Sequence, residues 1–348
     1  MLLLGGYTEA MDENTPGHAR GISLYDFAPA DGSLTFRGYT PVTNPSYLLA
    51  DQKREVVYSV CEREHDNESG VLAYRVKRGK GNKVSFEHLS TVPLPGDHPC
   101  HLAFAGDTLL VSSYTSGHVH VVRRNEDGSL GEVLQNLQLT CQHTDRGPHA
   151  HCAVYLPRRE QVAVCDLGDD MLKFFDRHAD GTLHARPDLH VAFPKGEGPR
   201  HVAVRPDGDW AVVNGELVGR VHLIDLREDP PRIADIVNAL PERVVDEAHG
   251  AAIRIGHNGK MVYVSDRAFS VVTVLRIDER AGRLIVRDTY PSGGEHPRDL
   301  NLCPKGEWVL TANTKDDTIG VFRVDPRGGL LHFRTIKKVP SPTTLVWL

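Results

Sequence analysis

Seven times along the chain, a short extended segment opens at a Pro or Gly corner and runs into apolar residues. The segments begin at Asn44-Pro-Ser-Tyr, His98-Pro-Cys-His, Gly147-Pro-His-Ala-His, Gly198-Pro-Arg-His, His249-Gly-Ala-Ala, His296-Pro-Arg-Asp and Ser341-Pro-Thr-Thr. Start-to-start spacings of 54, 49, 51, 51, 47 and 45 residues describe one period with loop-sized scatter. A repeat of that length built from short strands marks the blades of a propeller. The period outranks length as a guide: 348 residues by themselves suggest two domains, but a repeat array closes into one. The expected fold is a single all-β domain over residues 1–348.

The third repeat shows the internal pattern. Strands are predicted from His151, over Gln161–Asp166, over Met171–Asp176 and from Thr182, with turns at Pro157, Leu167-Gly-Asp-Asp and Ala179-Asp-Gly. Short β-rich runs joined by such turns are hairpin chemistry. Similar turns recur at Asp31-Gly, Asp127-Gly, Asp207-Gly, Asn258-Gly and Arg327-Gly, and no 12-residue window reads as an amphipathic helix. The first corner lies at residue 44 and the last near the C-terminus. Residues 341–348 therefore join strands at 2–7, 20–27 and 33–40 in a seventh blade shared by both termini. Such closure pairs what would otherwise be two exposed sheet edges.

Antiparallel pairing brings the start of each first strand and the turn after each second strand to one face near the axis. The first set holds Ser46/Tyr47, Cys100/His101, His149/His151, Arg200/His201, His249, Arg298/Asp299 and Thr343. The second holds Glu62, Tyr114/Thr115, Asp166, Glu216, Asp266/Arg267, Asn313 and Tyr7/Thr8. Any one of these has a plain structural use, such as capping a turn. Imidazoles, guanidiniums and carboxylates converging on one mouth instead describe a binding or catalytic site.

A net charge of −6 speaks against nucleic acid as a partner, while clustered arginines still admit a small anion. Composition, 40% hydrophobic and 25% charged, is that of a soluble globular protein, and no stretch approaches the roughly 20 apolar residues of a membrane span. The N-terminus has no basic region before its short apolar run, and the six cysteines form no CxxC pair. These features predict a cytoplasmic protein with reduced thiols. A monomer or weak homo-oligomer is expected.

Gly198-Pro-Arg-His-Val-Ala-Val-Arg-Pro-Asp-Gly, followed by Val213-Asn-Gly-Glu-Leu, carries a resemblance to a known family. So do Ser113-Tyr-Thr-Ser-Gly, Gly147-Pro-His-Ala-His, Val264-Ser-Asp-Arg and His296-Pro-Arg-Asp-Leu-Asn. The chain resembles the seven-bladed lactonase family, which includes propeller-type 6-phosphogluconolactonases and fungal carboxymuconate-lactonizing enzymes. The resemblance spreads over all blades. It implies a site built from His149 or His151, Arg200, Glu216 and Arg267 or Arg298. One motif departs from the family pattern: a glycine separates Asn214 from Glu216.

Opening a lactone needs an activated water and stabilisation of charge on the carbonyl oxygen. Glu216 or a neutral His151 would take the proton from water. Arg200 would face the oxyanion. Arg267 and Arg298 would hold an anionic group of the substrate, with His98, His101, His149 and His201 as further binding residues. Arg200 has a plainer use too, as a salt bridge to Glu216 that ties blade four together. No cofactor is expected, although His149, His151, His98, His101 and Asp166 are metal-ligating types and offer a rival reading. The leading expectation is a hydrolase of an anionic sugar-acid lactone, 6-phosphogluconolactone or an aldonic or aldaric lactone. Cycloisomerisation of a carboxymuconate and a non-catalytic propeller scaffold are the alternatives.

Overall fold

Seven antiparallel sheets surround an axis in a computed structural model that describes residues 1–12, 15–79, 84–142 and 145–348. Blades one to six follow the chain, starting at Leu48, Pro99, Ala150, Pro199, Gly250 and Pro297. Blade seven is completed by both ends: Pro342–Trp347 pairs with Leu2–Gly6, which pairs with Ile22–Ala28 and then Ser33–Thr40. Neighbouring innermost strands touch all the way round the ring. Among the described residues, the helical elements are three short 3-10 turns, at His65–Asn67, Pro187–Leu189 and Glu242–Glu247.

The core is divided rather than central. Seven apolar clusters each fill the space between two adjacent blades, so every sheet is covered on both faces. This explains why second strands such as Val56–Cys61, Trp210–Gly215 and Met261–Asp266 are buried along their whole length. A strand covered on both faces loses the in-out alternation of a half-exposed one. With the apolar material placed between the blades, the axis is left to polar side chains.

Blade three departs from the sequence expectation in its outer strand. Pro187 supplies no N–H to a ladder, and the strand breaks there into Leu183–Ala185 and Val191–Ala192, both paired to the third strand.

The corners have a common geometry. Asn44, His98, Gly147, Gly198, His296 and Ser341 all precede a proline, and all have positive φ, between 37° and 71°. A residue before proline is pushed out of the right-handed helical region, and a left-handed conformation costs a non-glycine residue free energy that its surroundings must offset. At Asn44 the offset is visible: its Oδ1 accepts from the N–H groups of Thr8 (2.9 Å) and Glu9 (3.0 Å), clamping the N-terminal segment.

Candidate active site

Just past the corner, in every blade but the first, the innermost strand carries a register shift, and what it leaves unpaired sits at the axis. In blades two, three, four, six and seven that residue is Cys100, His151, Arg200, Arg298 and Thr343. A bulge frees a residue from the ladder and re-aims its side chain. Opposite it, the N–H of the residue after the second strand bonds the carbonyl of the corner residue. Glu62 bonds Asn44, Tyr114 bonds His98, Leu167 bonds His149, Glu216 bonds Gly198, Arg267 bonds His249, Thr314 bonds His296 and Tyr7 bonds Ser341.

This equivalence separates the two histidines of blade three. The Gly147-Pro148 corner stands two residues earlier than its counterpart in blade four, so His149 takes the place of Gly198 and His151 that of Arg200. It also moves the second set of mouth positions by one residue in two blades. Asp166 and Asn313 are not at the mouth position; Leu167 and Thr314 are. Asp166 is instead fully buried, accepting from the His149 N–H (2.9 Å) and pairing with Lys173 (2.7 Å).

A cavity of about 260 Å³ is lined by Tyr7, Glu62, His98, Cys100, Tyr114, Thr115, His151, Glu216, Arg267 and Arg298, with Met11, Asp12 and Thr15 at the mouth. Beneath it the funnel closes to about 10 Å³ between Arg200, His201, Tyr47 and Asp299. Glu216 stands between two guanidiniums: Arg200 Nε lies 2.8 Å from Oε2 and Arg267 Nη2 lies 2.8 Å from Oε1. His151 Nε2 is 3.8 Å from Oε2. Burial alone would raise the Glu216 carboxyl, but Arg267 and Arg200 outweigh it and hold the group well below the usual carboxylate range. Burial, reinforced by Arg200, drops His151 well below the usual imidazole range despite the pull of Glu216, so it is neutral at physiological pH.

Arg200 has spent most of its donors. Nε serves Glu216, and Nη1 donates to the Ala251 carbonyl (2.7 Å) and to His201 Nε2 (3.2 Å), leaving Nη2 without a partner among the described residues. Blade five makes this reach possible by placing the small Ala251 and Ala252 on its innermost strand. Burial pushes Arg200 down to about 10 against the pull of Glu216, which leaves it charged at neutral pH.

The remaining expected residues divide by depth. His98 lines the mouth and bonds Thr115 Oγ1 (2.9 Å). His201 and His101 lie below, their rings 5.5 Å apart, with His101 Nε2 3.4 Å from Cys152 Sγ. His149 is not among the residues lining either cavity; it stacks on Tyr114 at 4.6 Å and donates to the Tyr114 carbonyl. The residues of the metal reading are thus dispersed, and no metal-holding group of His, Cys, Asp or Glu occurs among the described residues.

Glu62 and Tyr7, expected from the repeat to face the mouth but given no role there, both line the cavity. The signal was present: Glu62 is the blade-one counterpart of Glu216. Tyr7 Oη lies 3.3 Å from both Glu62 carboxylate oxygens, and Arg298 Nη2 is 3.9 Å from Oε1, its guanidinium 5.3 Å above the Tyr7 ring.

Residues 1–347 match the family described as lactonase, 7-bladed beta-propeller. A 6-phosphogluconolactonase of Bacillus subtilis is 29% identical over 349 residues, covering 96% of each chain. The structure of a periplasmic gluconolactonase from Pseudomonas aeruginosa superposes with a TM-score of 0.90 at 27% identity, covering 99% of this chain and 98% of that one. A Lactobacillus plantarum protein superposes with a TM-score of 0.88 at 26% identity, covering 100% and 98%. The Pseudomonas aeruginosa relative is periplasmic, and among the described residues of this protein no helix is long and apolar enough to cross a membrane. The chain belongs to the seven-bladed β-propeller lactonase family.

Proposed function

We propose that this protein hydrolyses the lactone of a sugar acid. The observation that carries the reading is a neutral His151 beside the Arg200–Glu216–Arg267 cluster, at a cavity of small-ligand size. Water attacks the lactone carbonyl carbon while His151 Nε2 accepts its proton. Glu216 is engaged by Arg200 and Arg267, and its charge, 3.8 Å from His151, stabilises the imidazolium that forms. Arg200 Nη2 supports the oxyanion. Collapse breaks the bond to the ring oxygen, which recovers the proton from His151, and the hydroxy acid so formed releases its carboxyl proton to solvent and leaves as its carboxylate. Arg267 and Arg298, with His98 at the mouth, hold the substrate. His101 and His201 support the site from below, the latter through Arg200, and His149 positions Tyr114.

Three guanidiniums (Arg200, Arg267, Arg298) and four carboxylates (Asp12, Glu62, Glu216, Asp299) line the funnel. With no surplus of positive charge, the lining suits a lactone without an added phosphate dianion. This favours an unphosphorylated aldonic lactone over 6-phosphogluconolactone, although relatives bear both kinds of name. The test is acid release from freshly made gluconolactone, 6-phosphogluconolactone and an aldaric lactone, with and without chelator. Turnover of gluconolactone well above background is expected. Chelator-sensitive activity would assign the chemistry to a metal. Cyclisation of a carboxymuconate with no lactone opened would replace the reading, and inactivity on all of them would favour a scaffold.

A further inference from the structure

Arg298 and Glu62 have hydrogen-bonding capacity that the protein does not use. Arg298 carries five N–H donors, yet among the described residues it makes only the 3.9 Å ion pair with Glu62 and the cation–π contact with Tyr7. The Glu62 carboxylate accepts about four hydrogen bonds when ionised, and the single phenol proton of Tyr7 supplies one of them. Glu62 is only 5% exposed, and both residues line the 260 Å³ cavity.

We infer that Tyr7, Glu62 and Arg298 form a subsite that reads neighbouring hydroxyl groups on the substrate ring. This rests on the lactone reading above and names the part of the site that selects a polyhydroxylated lactone. A hydroxyl both donates and accepts, so a vicinal pair gives its protons to Glu62 and its lone pairs to Arg298. A phosphate has no proton for Glu62 at neutral pH and meets its charge instead. An unsubstituted ring leaves both buried groups unsatisfied, the condition under which binding sites discriminate most strongly. Tyr7 fixes the subsite from beneath the Arg298 guanidinium and ties the Glu62 carboxylate in place. Blade seven, closed by both termini, thereby contributes to selectivity.

The test compares glucono-1,5-lactone with δ-valerolactone, a ring of the same size without hydroxyls, in the wild type, Glu62→Gln and Tyr7→Phe. Glu62→Gln preserves size but replaces one acceptor oxygen with a donor. Its kcat/KM ratio for gluconolactone over valerolactone is expected to fall by about tenfold or more, mainly through KM. Tyr7→Phe should shift the ratio the same way by a smaller factor, which guards against misfolding of the first variant. Equal losses on both lactones would give Glu62 a chemical or structural role and overturn the subsite. Calorimetric binding of D-gluconate provides a readout without turnover, and weaker binding to Glu62→Gln than to wild type is expected. If the wild type opens neither lactone, the hydrolase reading falls, and gluconate binding still decides: unchanged affinity in Glu62→Gln overturns the subsite, and weakened affinity upholds it.

Discussion

The two sides of the funnel use the same residue types at related repeat positions and leave them in opposite states. In blades four and five, Arg200 and Arg267 close on Glu216 at 2.8 Å each. Across the axis, Arg298 of blade six stops 3.9 Å short of Glu62 in blade one. Distance along the ring accounts for the contrast. Arg200 and Glu216 stand on adjacent strands of one blade, whereas blade seven lies between Arg298 and Glu62 and inserts Tyr7. A closed ion-pair network holds its members rigidly and fixes their protonation. An open pair keeps its donors and acceptors for a ligand. Chemistry belongs on the first side and recognition on the second.

The sharpest way to break this division is to remove one arginine from each side. Arg200→Ala should lower kcat by about 100- to 1000-fold, the usual cost of one oxyanion donor. Arg298→Ala should act mostly on KM. Steady-state kinetics on gluconolactone separates the two, and similar kcat losses in both variants would dissolve the distinction.

Stability provides the next contrast. Glu216→Gln leaves two buried guanidiniums without their counter-charge, a loss that costs about 3 kcal/mol or more when a buried pair is broken. Glu62→Gln breaks only a long contact and should cost much less. Urea unfolding of the two variants side by side measures the difference, and equal midpoints would mean that the closed network contributes no more than the open pair.

Acid should unfold the protein in two stages. His151 and His201 are held well below 6.5 by burial, so the unfolded chain binds protons that the native state refuses. Stability therefore begins to fall as pH drops below about 6.5. Glu216, depressed by its arginines, adds stability that is full above the ordinary glutamate range and is lost as pH falls below it. Thermal melting from pH 8 to 3 should show both stages. In the pH–rate profile, His151 as base predicts no loss of kcat/KM between pH 8 and 6.5, since its neutral form persists well below that range; an inflection near 6.5 would argue against it.

The last comparison separates neighbours within one motif, and the smallest effect is expected at His149. His151→Ala should remove the base and nearly abolish turnover, whereas His149→Ala removes a ring stacked on Tyr114 and should reduce kcat/KM by only a few-fold. Comparable losses would reverse the assignment within blade three.

Much of the molecule was legible from residue order, because propellers repeat local chemistry. Proline corners, Gly turns and apolar runs return at one period, so seven blades, closure by both termini and the polar character of the axis follow from neighbours in sequence. So do His151, Glu216 and Arg298 as residues near the axis, whereas Arg200, expected in the same pocket, lies beneath it in the narrow part of the funnel. Register was not legible. The two-residue offset of the Gly147-Pro148 corner, which moves His149 off the cavity and leaves Asp166 holding Lys173, appears only once strands pair and bulges select their unpaired residue. Nor could sequence distinguish Glu62, with its long contacts, from its counterpart Glu216 between two arginines. That difference depends on how far each guanidinium must reach round a closed ring and on small residues such as Ala251 in its path. Curvature of the whole assembly sets those distances, and no local run of residues encodes it.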